Sequence, residues 1–355
     1  HVKDCALMGI TIKQPNINTS FQTFVVNEKD EVEYGLSALK DVGKKFIEDV
    51  CAERANGNFV SLMDFASRVD LRKGGIRALN SLAKSGAFDD LCSRDEAVSS
   101  IKNYLEASEQ KFKSKESAVM DMFGSEQDIK VSGFDLRTFN DSEKLKMELE
   151  SYGFYFSKHP IALMRKTLSS KLATINKLAP SNNEKYIPVL INNKRVVKKG
   201  MSMFVFLEVS DETGIIDVSV PLEVFDEKKQ LIKENALVML KGTVVTDDYR
   251  KGNYEEVGVK IRATDLMPID QGKKLVTSKI MLDIPRDKIK ELGNGKFKEI
   301  KELNDPEGVE VVLNMKDDSL NISAEIKVDT FRVSLEDNTF EKINEIFGEE
   351  NYTLI

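Results

Sequence analysis

Hydrophobic residues recur with two different periods along this chain, and the change of period divides it into regions. From Glu33 to about residue 115, apolar positions lie three or four residues apart, which predicts helices. A further helix is predicted over SEKLKMELESYGFY, with Gly153 as its terminator. From Tyr186 onward, apolar and polar residues alternate, which predicts strands.

The alternating region predicts a small barrel. Its order is strand, strand, strand, helix, strand, strand, over YIPVLINNKRVV, MSMFVFLEV, GIIDVSVPL, PLEVFDEKKQLIKEN, ALVMLKGTVVTD and EEVGVKIRATDL. SDETG, between the second and third strands, is a turn signal. This order is typical of an OB barrel, whose open face commonly binds single strands or oligosaccharides. Another small β-barrel without a ligand is the alternative.

The last part of the chain predicts a small α+β domain. It follows a linker, MPIDQGKKL, and its predicted elements alternate between strands and helices. They are strand SKIMLDI, helix PRDKIKELG, strands GVEVVLNM, LNISAEI and TFRVSL, and helix NTFEKINEIFG. No catalytic constellation is recognisable in this block.

Composition is that of a globular protein with several domains. A chain of 355 residues exceeds one ordinary core, so two to four domains are expected. No apolar run approaches the roughly 18–20 residues of a membrane helix, and the N-terminus has no signal-peptide pattern. The three cysteines are far apart and predict neither a disulfide framework nor a zinc site. A reducing, cytoplasmic compartment is therefore expected.

Charge and histidine content exclude several functions. The net charge of −7 excludes a uniformly basic nucleic-acid coat, so any such surface must be local. Only two histidines occur, His1 and His159, which argues against histidine metal sites and Ser-His-Asp chemistry. We predict a structural role for His159 rather than a role as a catalytic base. Because the chain opens without an initiator Met, we expect it to be a fragment of a longer protein.

The first motif with a chemical interpretation is GLSALKDVGKKFIEDVCAER. Its apolar stripe is interrupted at Gly43, in the form of a helix-hairpin-helix. The turn and the following helix N-terminus can bind a phosphate through backbone N–H groups without reading bases. Lys44 and Lys45 would add sequence-independent electrostatic affinity. A plain turn between two helices, with solvated lysines, is the alternative.

A second motif, LRKGGIRALNSLAKSGAFDDL, repeats this logic. An apolar stripe precedes a turn at Ser85-Gly86. The predicted duplex contacts are Arg72, Lys73, Arg77, Lys84 and Gly86. Two such units in tandem would straddle a duplex, one hairpin on each strand. The predicted fold class is multidomain α+β: an all-α tandem helix-hairpin-helix domain, then an OB-fold β-barrel, then a small α+β C-terminal domain.

In the barrel, basic and aromatic residues predict contacts with single-stranded DNA. Basic residues cluster at the turn between the first two strands, and aromatic residues alternate on the second strand. The barrel core is the favoured location of that aromatic face, and base stacking is the alternative. The loop DDYRKGNYEE borders the ligand face and adds a basic candidate, with an ordinary exposed hairpin as its alternative. The candidate residues are Lys194, Arg195, Lys198, Lys199, Phe204 with its neighbour Phe206, and Arg250.

Several of these phrases resemble one family. EYGLSALKDVG, SLMDFASRVD and ALNSLAKSGAFD are similar to the bacterial DNA polymerase III alpha subunits, the C-family replicative polymerases. EKLKMELESYGFYFSKHPI resembles the family's junction before the OB domain, and KINEIFG its terminal domain. The resemblance implies five regions: 1–32, the end of the fingers; 33–115, the tandem hairpins; 116–184, a clamp-binding peptide and helical linker; 185–270, the OB fold; and 275–355, a tau-binding-like domain.

The resemblance also implies an activity that this stretch would not carry by itself. The family's DNA-directed DNA polymerase site uses palm aspartates and Mg²⁺, and these lie N-terminal to the matched region. No catalytic residue and no cofactor is therefore expected here, and the fragment should be inactive alone. Implied partners are duplex and single-stranded DNA, the beta sliding clamp and the tau subunit of the clamp loader, with no membrane. An error-prone polymerase paralogue and a non-enzymatic DNA-binding adaptor are the alternatives.

The segment SAVMDMFGS places apolar residues in a polar surrounding. In the family, an internal peptide here docks on the beta clamp, and its usual form opens with Gln and ends with a hydrophobic residue and Phe. Met122 and Phe123 stand at the anchor positions, Asp121 matches common variants, and Val119 stands where the Gln belongs. Since Val cannot make the contacts of an amide, we predict weaker clamp binding than usual. Local packing and a lapsed motif are the alternatives.

Overall fold

The chain forms two compact units, residues 1–158 and 159–355, in a computed structural model. The structure describes residues 5, 8–117, 131, 133–199, 202–247, 258–285, 302–317, 322–348 and 351–355. Within those ranges no helix has the length and apolar character needed to cross a membrane.

The first unit joins a small sheet to a helical domain. Its sheet has the order β1-β3-β2, with β1 at Ile12–Lys13, β2 at Val25–Val26 and β3 at Val32–Glu33. The helices are α1 (Lys44–Arg54), α2 (Leu62–Arg68), α3 (Gly75–Ser85), α4 (Arg94–Ser117) and α5 (Asp141–Tyr152). One hydrophobic core holds them together, and the prediction of a helical domain is confirmed.

Local sequence determines where α5 begins and ends. Asn140 accepts a hydrogen bond from the N–H of Glu143, whose carboxylate accepts one from the N–H of Asn140, which is a capping box. Gly153 ends the helix in the left-handed conformation, with φ of 88°, as predicted. The buried Tyr152 hydroxyl donates to the carbonyl of Ser85 at 2.7 Å, which ties α5 to the end of α3.

The second unit contains the predicted barrel. Its strands are β4 (Ser181–Lys199), β5 (Ser202–Ser210), β6 (Ile215–Val220), β7 (Leu237–Thr246) and β8 (Val259–Pro268), with α7 (Leu222–Lys228) before β7. A short helix, α6 (Pro160–Met164), precedes the barrel. The barrel is closed in the order β4-β5-β6-β8-β7 around an apolar core. This confirms the predicted OB architecture and the helix between its third and fourth strands.

Two predictions for the final domain need correction. The sequence MPIDQGKKL is not a linker, because helix α8 (Ile269–Val276) occupies it and Gly272 packs against Met239. LNISAEI and TFRVSL are parts of one strand, β11 (Ile322–Val333). The polar break between them is a register shift against the neighbouring strand, where Glu310 pairs with Arg332 and Val311 with Val328. A bulge, and not a turn, therefore interrupts the alternation.

The remaining elements form a four-stranded sheet covered by a helix. β9 (Lys279–Pro285), β10 (Asn304–Asp317), β11 and β12 (Tyr352–Leu354) have the order β11-β10-β9-β12, and α9 spans Asp337–Phe347. β9 and β10 are parallel. The small α+β domain is confirmed, whereas β12 was not predicted and the predicted helix PRDKIKELG lies outside the described residues.

Candidate nucleic-acid interface

The first hairpin turn leads directly into α1. Its apolar residues Val42 and Phe46 are buried, while Gly43, Lys44 and Lys45 are exposed. Gly43 precedes the helix and offers no side chain to cap it. The N–H groups of the first turn of α1 therefore remain open to an external acceptor. In the described part of the chain, neither lysine forms an ion pair.

The second hairpin turn lies at Gly74-Gly75, before α3. Gly75 has φ of +69°, and the helix start again has no side-chain cap. A β-carbon on Gly74 would lie 2.7 Å from a ring carbon of Phe46, which belongs to the first turn of α1. This contact brings the glycine turn before α3 close to the first turn of α1. We call the two uncapped helix starts together the hairpin surface.

The basic residues of the second hairpin differ in their availability. Arg77 is exposed and has no ion pair within the residues described. Lys73 contacts the carboxylate of Asp49 at 2.6 Å, a hydrogen bond that raises the pKa of Lys73. Arg72 holds Asp70 through two hydrogen bonds of 2.8 and 2.7 Å, which lower the pKa of Asp70. A phosphate would compete with carboxylates for Lys73 and Arg72.

The structure corrects the predicted position of the second hairpin turn. Ser85-Gly86 is a turn, as predicted, but it ends α3, and the helix begins eleven residues earlier at Gly75. Gly86 is buried with φ of +82°, and its missing β-carbon would collide with Gln14, Arg94 and Asp89. Lys84 forms an ion pair with Glu150. A helix C-terminus repels anions, so the position of Lys84 and Gly86 does not favour a phosphate contact, and the duplex contacts predicted there stay predictions.

The aromatic residues of β5 lie on the outside of the barrel. Val205, Leu207 and Val209 are buried, whereas Phe204 is 47% exposed and Phe206 is half-buried. The favoured core interpretation is therefore wrong, and the stacking alternative has the correct face. The sequence contained a signal for this, because the alternating set with Val205, Leu207 and Val209 is wholly apolar, whereas the set with the two phenylalanines also contains Glu208 and two serines.

The basic cluster of the barrel is divided between two faces. Arg195 pairs with Phe206, which places it on the aromatic face. Lys194 and Lys198 pair with Leu207 and Met203 on the other face, and the Lys194 ammonium lies 6.0 Å from the ring centroid of Phe225. Lys199 is in register with Ser202. Arg250 and its loop lie outside the described residues.

Strand register extends the aromatic face across the barrel. Phe206 pairs with Ser219 on β6, and Ser219 pairs with Arg262 on β8. Arg195, Phe206, Ser219 and Arg262 thus form one transverse row on the outer face, which we call the barrel row. Arg262 is exposed and was not found from sequence. In the sequence, Arg262 lies between the apolar residues Ile261 and Ala263, which are buried in the structure, and this alternation was the signal that could have placed Arg262 on the outer face.

Comparison with known proteins gives these surfaces a context. A family model described as "Helix-hairpin-helix motif" matches residues 9–97, and one described as "OB-fold nucleic acid binding domain" matches residues 189–269. The protein named DNA polymerase III subunit alpha of Pasteurella multocida is 29% identical over 297 residues, covering 81% of this chain. Its counterpart in Pseudomonas aeruginosa is 28% identical over 317 residues, and that of Vibrio cholerae 24% over 365 residues. The chain is a homologue of the DNA polymerase III alpha subunit.

The similarity extends over only part of each alpha subunit. The alignments with the Pseudomonas and Vibrio proteins include 81% and 99% of this chain. The chain nevertheless spans only 25–31% of the length of the three relatives. Among solved structures, an asparaginyl-tRNA synthetase from Pyrococcus horikoshii matches 28% of this chain and 23% of its own, with 19% identity and a TM-score of 0.23. That TM-score is too low to support an argument about this alpha-subunit homologue.

Two other predicted features of the alpha-subunit homologue have different outcomes. The structural role predicted for His159 is confirmed: its Nδ1 accepts the N–H of Ile161 at the start of α6, and its Nε2 lies 2.9 Å from the Ser210 hydroxyl. The clamp-binding residues Val119, Asp121, Met122 and Phe123 lie outside the described ranges. Within those ranges, no group of three or more His, Cys, Asp or Glu residues could hold a metal ion.

Proposed function

We propose that this chain is the DNA-binding and partner-binding part of a DNA polymerase III alpha subunit. Its hairpin surface would hold duplex DNA, and its barrel row would hold the single-stranded template. The observation that carries the proposal is the outward-facing row of arginine and phenylalanine on a barrel that matches the nucleic-acid-binding OB family. The match of residues 9–97 to the helix-hairpin-helix family supports the duplex assignment.

The hairpin surface has the chemistry of a non-specific phosphate site. Two uncapped helix starts, joined through Phe46 and Gly74, provide backbone donors, and Lys44, Lys45 and Arg77 provide positive charge. Such groups bind phosphates whatever the base sequence. A polymerase requires this property, because newly made duplex of every sequence must pass over the same surface.

The barrel row has the chemistry of a single-strand site. The half-buried Phe206 of the row and its exposed neighbour Phe204 offer rings to the faces of unpaired bases, and Arg195 and Arg262 offer charge to the backbone. Stacking on an aromatic ring is tolerant of sequence because every base has a π-face. Both features suit a template strand of arbitrary sequence.

Replacing Phe204 with Ala should weaken binding of a single-stranded oligonucleotide by about 1–2 kcal/mol, the usual value for one stacked base. Fluorescence anisotropy at low salt measures the effect. Because Phe204 is 47% exposed, the free energy of unfolding should change little. Leu275→Ala on α8, which removes a side chain that is 61% exposed, is the matched control. Equal affinity of the Phe204 variant and the control would exclude the stacking role.

Polymerisation is proposed for the longer protein and not for this stretch. The relatives are named as polymerase subunits, and the chain spans 25–31% of their length. Among the described residues, no group of three or more His, Cys, Asp or Glu side chains could hold a metal ion. We propose that the catalytic aspartates and their Mg²⁺ belong to parts of the protein outside this chain, and we expect this chain to show no primer extension by itself.

Two protein partners belong to the proposal as well. The segment with Met122 and Phe123 would dock on the beta sliding clamp, and the domain over 275–355 would bind the tau subunit of the clamp loader. Apolar anchors of this kind supply most of the burial in a preformed pocket. We propose that the clamp contact is weak because Val119 replaces the usual Gln.

Changing Met122 and Phe123 together to Ala should lower clamp affinity at least about tenfold, because both buried anchors are lost. Val119→Gln should raise clamp affinity, since an amide restores polar contacts that valine cannot make. Surface plasmon resonance with immobilised clamp measures both variants. Unchanged binding of the double variant would reject this segment as the clamp-binding peptide.

A further inference from the structure

A cleft of about 110 Å³ lies next to the barrel row, on the same outer face of the barrel. It is lined by Asn193, Arg195, Phe206, Leu207, Glu208 and Asp217. Strand register explains this set, because Asn193, Glu208 and Asp217 form the row adjacent to Arg195 and Phe206. The cleft therefore combines an aromatic wall, a guanidinium, an amide and two carboxylates.

The two carboxylates are unexpected on a surface that binds a polyanion. Glu208 and Asp217 face each other across β5 and β6, and like charges in directly opposite positions destabilise a sheet. They would also repel any phosphate placed in the cleft. The arginines of the barrel row therefore suit the phosphodiester backbone, whereas the carboxylate side of the cleft suits a base.

A carboxylate beside a base accepts hydrogen bonds and donates none while it is ionised. Cytosine, adenine and guanine present amino groups that can donate to it, and pairing of Glu or Asp with the cytosine amino group is a known form of base readout. Thymine has no amino group, and its one donor, the N3–H, lies between two carbonyl oxygens that a carboxylate repels.

We propose that this cleft binds one base of the single strand and selects bases that carry an amino group over thymine. The base would stack on Phe206, with its amino group donating to Glu208 or Asp217. This inference rests on the proposed single-strand function, and it adds a base preference that aromatic stacking alone would not produce.

The first test uses the unmodified 355-residue chain. Anisotropy titrations compare oligonucleotides of deoxycytidine and deoxythymidine of equal length at the same salt concentration. We expect the deoxycytidine strand to bind about tenfold more tightly, which is within the range for one good base contact. Equal affinity for the two strands would overturn the base preference without affecting single-strand binding. Failure to bind either strand would overturn the proposed single-strand function itself.

The second test removes the carboxylates while keeping their shape. Glu208→Gln combined with Asp217→Asn should raise affinity for the deoxythymidine strand and bring the ratio of the two affinities close to one, because amides can donate to thymine carbonyls. Glu234→Gln removes one exposed negative charge elsewhere on the barrel and should leave the ratio unchanged. If the double variant raises both affinities equally, the carboxylates act only by repulsion and the base pocket is rejected.

Discussion

Reversing the charge of Lys44 and Lys45 to Glu should lower the affinity of this chain for duplex DNA about 100-fold at low salt, counting about tenfold for each lost phosphate contact. Both side chains are exposed beside the uncapped start of α1 and form no ion pair in the described part of the chain. Their loss should affect duplexes of unrelated sequence equally, because phosphates carry no base information.

Salt dependence separates a phosphate contact from a general change of charge. The slope of log affinity against log salt should fall by about two, roughly one for each phosphate contact removed. The control is the double variant Lys102→Glu, Lys113→Glu, which changes net charge equally through two exposed lysines of α4. We expect the control to lose much less affinity and to retain most of the slope. Comparable losses in both variants would mean that only net charge matters.

The second large effect concerns stability. Replacing Gly86 with Ala should lower the free energy of unfolding by about 3 kcal/mol or more, since an L-residue in the left-handed region costs about 1–2 kcal/mol before any collision. The added β-carbon would also displace Gln14, Arg94 and Asp89. Arg94 contacts Asp89 at 2.7 Å, so the collision would disturb a partly buried ion pair.

Gly43→Ala is the matched control for Gly86→Ala. Gly43 has φ of −76° and open space around its β-carbon position, so alanine should fit there without strain. Urea denaturation followed by circular dichroism should show a lower midpoint for the Gly86 variant alone. If the Gly86 variant instead unfolds like wild type and binds duplex poorly, the glycine would belong to the interface and its structural role would be wrong.

Sequence predicted the order of domains and strands well, because burial imposes clear periods. The change of period near Tyr186 located the barrel, and the helical spacing that ends at Gly153 located α5. The family resemblance, carried by phrases spread across the chain, agreed with the relatives found. These features depend on the spacing of residues that are close together in the chain, and a single sequence shows that spacing directly.

The details of the candidate interface were harder to predict, because they depend on which face of an element is buried. On β5 the two phenylalanines favoured the wrong face, although their alternating set also contains Glu208 and the other set is wholly apolar. Four neighbouring basic residues appeared to form one cluster, yet strand alternation places Lys194 and Arg195 on opposite faces. Arg262 joins the barrel row only through a parallel pairing with β6, which is not local in sequence.

The second hairpin illustrates a different limit. A glycine can follow a helix or precede one, and the stretch from Arg72 to Gly86 contains glycines of both kinds. The apolar stripe located α3 correctly but did not identify which end carries the DNA-facing turn. The contact between Gly74 and the Phe46 ring places the N-terminal end of α3 near the start of α1, and it joins residues 28 positions apart in sequence.

The most direct test of the account is a crossed binding measurement with two variants and two DNA substrates. Lys44→Glu with Lys45→Glu alters the hairpin surface, and Arg195→Glu with Phe204→Ala alters the barrel row and the exposed ring beside it. We predict that the first variant loses duplex affinity and keeps single-strand affinity, and that the second shows the reverse. If each folded variant loses both affinities to the same extent, or neither loses any, the assignment of duplex and single strand to separate surfaces is contradicted.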